Sequence, residues 1–486
     1  MRFSKGGDSP ILPKTDRPAS DSGNYGSGPG PGNLVAAFPY RYDVAMNTIL
    51  DSALSRLEGN KEWLFGVAGE FRAAPELGFF EHRTAGILER ELKALGARLE
   101  TGLALTGIRA ELGPPGAPAI VLLADMDALP TEGAPGGVMH SCGHHAQMAV
   151  LLAVFRALAE AGLPDRERVR ILFVGSPAEE YVDLERRLEL RERGEISYLS
   201  GKQEQIRLGV FDDAAVVLKY HSMSDSPYRD ATVNGTLNGF MAKRAEFTGR
   251  AAHAGAQPHL GINALGAATL ALQGIHAQRE TFRDEDHIRI HPILTEGGTV
   301  VNSIPARAVL QTYVRGAAHA AVADAASKVD RALCAGALAM GASVRIRNTP
   351  GYQAFRPFPA MGEALGAAAR TVLDAKRIDF DDHAYASDDI GDVACLIPTC
   401  QLGYSGFCGT IHSADFLPAD PGRAYFAPAE ILLRTVVDLS SGGGRKALSI
   451  KEGFVPEFSK EDYLKSLDSM FSELSFSGKA LGFSGF

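Results

Sequence analysis

Three apolar runs, each ending in residues that can carry chemistry, constrain this chain more than any other feature. They are residues 119–130 (AIVLLADMDALP), 169–180 (VRILFVGSPAEE) and 216–222 (VVLKYHS). Runs of Leu and β-branched residues this long read as strands buried on both faces. Between them lie helical stretches, of which 146–162 (AQMAVLLAVFRALAEAG) is the clearest. Strands alternating with helices predict an α/β domain with a central, largely parallel sheet. Open sheets of that kind place ligands at the carboxyl ends of their strands, where the polar residues of all three runs fall.

At 486 residues the chain is too long for one ordinary core, so more than one domain is expected. Residues 1–38, rich in Gly, Pro, Ser and Asp, read as a disordered leader. The catalytic domain is expected over 39–234 and again over 351–440. Near Gly235 the texture changes, and 235–350 reads strand–helix–strand–strand–helix–strand, the order of a ferredoxin-like α+β sandwich. Its ends lie on neighbouring strands, so it can be inserted without disturbing the larger domain. Residues 441–486 read as a linker and an amphipathic helix with Tyr463, Leu467, Met470, Phe471 and Leu474 on one face. The charged run 183–207 reads either as a solvated helix laced by ion pairs or as a lid or partner surface.

A net charge of −9 supplies no field to attract nucleic acid, and no apolar run approaches membrane-spanning length. An odd number of cysteines, five, at irregular spacing argues against a disulfide framework and for a reducing compartment, the cytoplasm.

The densest chemical cluster is 140–145 (HSCGHH). The Cys142 thiol and the His144 imidazole, two residues apart around Gly143, can reach one divalent ion, or else be ordinary core residues. Glu179 and Glu180 point in different directions, so one can bind a metal while the other faces the reacting water; a plain helix start is the competing reading. Asp125 and Asp127 close their strand and can orient a ligating imidazole, or simply make a turn. His221 ends a strand and His412 lies in a Gly-rich loop. Their convergence with Cys142 and Glu180 on one crevice suits zinc or a similar transition ion. His253 (GRAAHAGAQPH), Asn302 (VVNSIP) and Arg315 (YVRG) belong to the inserted region and reach the crevice only across a cleft or from a second subunit.

Seven blocks, in order, carry a resemblance: PELGFFEHRTA, ADMDALP, HSCGHHAQ, GSPAEE, GRAAHAGAQPHLGINAL, EGGTVVNSIPARA and GTIHSADF. From about Asn47 to Asp438 the chain resembles the dinuclear-metal amidohydrolases and peptidases of the aminoacylase, hippurate hydrolase, carboxypeptidase G and auxin-conjugate hydrolase family. GSPAEE and SDDIGDV lean towards its aminobenzoyl-glutamate and dipeptidase members. The resemblance implies a zinc-peptidase-like catalytic domain with an inserted lid and dimerisation domain. It implies two divalent ions per subunit (zinc or manganese, with cobalt also open) on Cys142, His144, Glu180, His221 and His412. Glu179 falls on the general base, Asp127 on the carboxylate that positions the ions, and His253 on the lid histidine that polarises the scissile carbonyl. Asn302, and more weakly Arg315, fall where the substrate's carbonyl or carboxylate binds. The expected substrate is a small amide with a carboxylate, the expected assembly a homodimer through the inserted domain. A dipeptidase and a non-catalytic binding relative are the alternatives. The chain departs from the family at His145, where Asp or Asn is usual, at Leu123, where many relatives have Arg, and in the longer run 183–207.

Overall fold

The computed structural model describes residues 44–478; the expected leader over 1–38 lies outside them. The central strands are Ala119–Asp125 and Arg170–Ser176, all of whose residues are buried. Their alternation feeds two cores at once. Ile120, Leu122, Ala124, Ile171 and Phe173 point into one, and Val121, Leu123, Leu172 and Val174 into the other. Helix His144–Glu160 packs in the first core with the N-terminal helices and Ala427–Gly453.

Four parallel neighbours run Arg170–Ser176, Ala119–Asp125, Ala214–Ser224, Thr399–Cys408 across the sheet. The antiparallel strands Arg98–Leu103 and Gly107–Leu112 flank one side, and Ala231–Val233 and Ile378–Phe380 the other. After Arg170–Ser176 the chain crosses Ala119–Asp125 to add Ala214–Ser224 on its far side. That reversal opens a crevice at the carboxyl ends, where α/β sheets hold ligands. The mostly parallel α/β architecture is as expected.

The second sheet is antiparallel. Gly239–Thr248 pairs with both Arg307–Gly316 and Ser343–Pro350, and Arg289–Ile290 and Ile293–Glu296 pair with Arg307–Gly316. Helices Ala264–Ala277 and His319–Ala339 cover one face through an alanine-rich seam in which Gly336 meets Ala267 and Ala271. This is the ferredoxin-like order.

Two stretches differ from the sequence reading. The C-terminal helix ends at Met470, and Ser472–Ser477 becomes a strand on the free edge of Ser343–Pro350, with Leu474 opposite Ile346. Tyr463 and Leu467 are buried as an amphipathic helix requires, but Leu474 leaves the helix because an unpaired edge offers its backbone a ladder. The Ser441–Gly444 segment is a kink within Ala427–Gly453, beyond which Ala447 and Ile450 are buried. The run 183–207 forms Leu184–Glu192, a helix with Glu185, Arg186, Glu189 and Glu192 exposed, and most of Gly201–Leu208, and it turns Arg187, Lys202, Gln203, Glu204 and Gln205 inward.

Candidate metal centre

The crevice is assembled from strand ends and one tight turn. Gly143 has a left-handed φ of 85° at the start of helix His144–Glu160, and a Cβ there would overlap the Ser222 hydroxyl. Only glycine lets the Cys142–His144 turn close so tightly on the strand that carries His221. Cys142 Sγ then lies 3.6 Å from His221 Nε2. His412 also has a positive φ, 69°, and its N–H donates to Ser141 O at 2.8 Å, fastening its loop to the same turn. His412 Nε2 stands 3.4 Å from Glu180 Oε1.

Asp127 organises two of these residues. Its carbonyl lies 2.8 Å and its Oδ1 3.2 Å from His144 Nδ1, while its Oδ2 accepts the Glu180 N–H at 2.9 Å. With Nδ1 so engaged, His144 Nε2 faces the crevice, 3.6 Å from Glu179 Oε2 and 3.9 Å from Asp125 Oδ2. Among the described residues, the buried atoms His144 Nε2 and Glu180 Oε1 have no hydrogen-bond partner.

The donors fall into sets whose ligand atoms lie within 4.8 Å of one another. Cys142, His144 and His221 form one and Cys142, Glu180 and His412 a second, so Cys142 stands between two positions and five sequence-predicted ligands are brought together. Glu179 joins further sets with Asp125 and His144 and with Asp388 and Asp389.

Adjacent glutamates meet opposite surroundings. Burial, reinforced by Asp388, Glu180 and Asp125, pushes the Glu179 carboxyl well up. Burial acts on Glu180 too, but the His412 contact and the charge of His144 outweigh it and hold its carboxyl low. Burial alone would lower His144, yet Asp127 and the surrounding carboxylates raise it to about 9. Burial and then Glu180 and Glu179 push the Cys142 thiol up. So many anionic donors in a water-poor site call for a cation.

A cavity of about 450 Å³ opens on this centre, within the range of small-molecule sites. Cys142, Glu179, Glu180, His221 and His412 line it, with Met223, Leu237 and Ile411 on apolar walls. Arg315 reaches its edge, donating from Nη1 to the Ser387 hydroxyl at 2.6 Å. His253 and Asn302 do not line it. Both are exposed on the inserted sheet domain, joined by the bridge His253 to Ser303.

Sequence reasoning missed the layer beneath. Lys219 Nζ lies 2.5 Å from both Asp125 Oδ2 and Asp388 Oδ2, and Lys202 pairs with Asp125 and Asp389. Both lysines are fully buried. A lysine inside the apolar run VVLKY was the available signal. His145 lies behind the turn, 3.3 Å from the Tyr425 hydroxyl.

Comparison with known proteins agrees with this architecture. A peptidase dimerisation domain matches residues 236–338. The chain is 29% identical over 310 residues to a Xaa-Arg dipeptidase of Mus musculus, covering 61% of this chain and 65% of the relative, just under two thirds. It is 30% identical over 329 residues to one component of the p-aminobenzoyl-glutamate hydrolase of Escherichia coli, covering 63% of this chain and 68% of that one. A dinuclear metal-binding peptidase of the M20 family from Bacillus subtilis superposes with a TM-score of 0.60 at 19% identity, over 79% of this chain and 99% of that one. The chain belongs to the M20 family of metal-dependent peptidases and amidohydrolases. Among the described residues, no helix is long and apolar enough to cross a membrane.

Proposed function

We propose that the protein hydrolyses the amide bond of a small N-acyl amino acid or aminoacyl conjugate bearing a carboxylate, using two divalent ions. The observation that carries this reading is Cys142, shared by two donor sets at the floor of a cavity of ligand size. The ions would be held by Cys142, His144, Glu180, His221 and His412; a thiolate among imidazoles and a carboxylate suits zinc, with manganese and cobalt as alternatives. When bound, such ions lower the pKa of a water and polarise the amide carbonyl.

Glu179 takes the proton of the attacking water and returns it to the leaving amine. Its Oε2 lies 3.6 Å from His144 Nε2, which sets the carboxylate beside the proposed metal positions where that water would stand. Asp127 keeps the His144 ring oriented and ties the Glu180 backbone to the same carboxylate. His253 Nδ1 accepts the N–H groups of Gly255 and Ala256 at 3.2 and 3.1 Å, which puts its ring proton on Nε2. From there it donates to the developing oxyanion, supplied with Asn302 by a second subunit in a homodimer built on the inserted domain. Arg315, beside Ser387 at the cavity edge, takes the substrate carboxylate. The site of action is the cytoplasm. Likeness to a Xaa-Arg dipeptidase supports dipeptide cleavage as a second reading.

A panel of N-acetyl amino acids, benzoyl-glycine, aminobenzoyl-glutamate and β-alanyl dipeptides, each assayed with zinc, manganese and cobalt, tests the proposal. Turnover of an acyl or aroyl amino acid supports it. Cleavage of the free-amine dipeptides alone favours the second reading, and no turnover with two ions bound refutes both.

A further inference from the structure

The segment that carries Glu179 and Glu180 is held by its carbonyl groups. Ala178 sits at a φ of 54°, a left-handed conformation that a residue with a Cβ adopts only when its surroundings impose it. Its N–H donates to buried Glu81 Oε1 at 2.8 Å, and its carbonyl accepts Arg187 Nη1 at 3.0 Å. The Glu179 carbonyl accepts the Tyr352 hydroxyl. The Glu180 carbonyl accepts Arg187 Nη2 as well as the Val182 N–H. The Tyr181 carbonyl accepts the Tyr313 hydroxyl at 3.0 Å. Four successive carbonyls are thus captured by side chains from outside the segment, and one residue, Arg187, takes two of them.

Arg187 is only 3% exposed. It forms no ion pair among the described residues; its guanidinium is spent on the carbonyls of Ala178, Glu180 and Leu199, the last at 2.6 Å, beside the rings of Phe79 and Tyr181. Burying a cation without a carboxylate is expensive, and an apolar side chain would fill the space more cheaply. Its planar fork can bridge the carbonyls on either side of Glu179, which a lysine ammonium cannot do in the same geometry. Leu184–Glu192 delivers it, giving the charged run 183–207 a task at the centre.

We infer that Arg187 is a positioning residue: it fixes the Ala178–Glu180 backbone so that Glu179 faces the reacting water while Glu180 reaches the metal position beside His412. The inference rests on the proposed roles of those two glutamates. It is tested with Arg187→Lys and Arg187→Met in the full chain, reading thermal unfolding, the absorption spectrum of the cobalt-loaded protein, and kcat and KM on the best amide of the panel. The expected result is a folded Arg187→Lys protein with an altered cobalt spectrum, KM little changed, and kcat per metal-loaded site lower by ~10²-fold, as a sub-ångström to ångström misplacement produces. Guanidinium added to Arg187→Ala should restore part of the rate. Wild-type kcat and cobalt spectrum in both Arg187→Lys and Arg187→Met would overturn the inference, as would a loss accounted for wholly by unfolded protein. The cobalt spectrum needs no substrate, so it tests the placement of Glu180 separately from the amidohydrolase reading.

Discussion

Replacing Lys219 with Met removes an ammonium group from a place where nothing else can substitute for it. Lys219 Nζ is 2.5 Å from both Asp125 and Asp388, in a pocket where the three side chains are 0%, 0% and 6% exposed. Lys202 pairs with Asp125 and Asp389, so two ammonium groups face three carboxylates. Burial works against the charge on Lys219, but Asp125 and Asp388 outweigh it and raise its pKa. Losing one partner of such a buried network costs about 3–5 kcal/mol, because the stranded carboxylates must protonate or admit water. For a chain of this length that corresponds to a fall in Tm of roughly 3–5 °C. The assay is thermal unfolding of metal-free protein, so that loss of bound ion does not contribute. Adding Asp388→Asn should recover part of the loss, with a coupling of about 1–3 kcal/mol. A Lys219→Met protein within about 0.5 kcal/mol of wild type would refute the reasoning, since that is the range of an inconsequential surface change.

Cys142→Ser replaces the donor common to both sets; elemental analysis should find bound zinc falling by at least about one ion per chain, with the fold retained. Asp392 is buried, with its Oδ1 accepting the Tyr463 hydroxyl at 2.8 Å, and burial pushes its carboxyl up to about 8. Its folded pKa therefore lies above the unfolded value near ~3.9, so its contribution to stability is complete below about pH 4 and is lost as the pH rises towards 8. Asp392→Asn cannot ionise, and its gain in Tm over wild type should be larger at pH 8 than at pH 4, where wild type is still fully protonated in the fold.

The strands were legible because burial on both faces writes itself as unbroken apolar runs, and the inserted domain because its alternation follows the ferredoxin-like order. Glu180 and His221 were legible as strand-end residues and Cys142 and His144 by their spacing around Gly143, whereas His412, in a loop, was singled out only by the ordered motif blocks. Lys202 and Arg187 were not, because inside a charged stretch a residue that turns inward looks the same as one that faces water. Lys219 carried a signal, a cation within an apolar strand, that points to a buried partner without saying which one. The strand Ser472–Ser477 was hidden for another reason: its pairing depends on a free edge that exists only in the folded domain.

Glu179→Gln, prepared with its metal and compared with wild type by elemental analysis and by turnover of a panel amide, tests the division of labour between the two glutamates most directly. The variant is expected to keep its bound ions, since Glu179 is not among the five proposed ligands, and to lose ~10²-fold or more in kcat. Unchanged turnover by the metal-loaded variant, or loss of metal in step with loss of activity, would contradict that division.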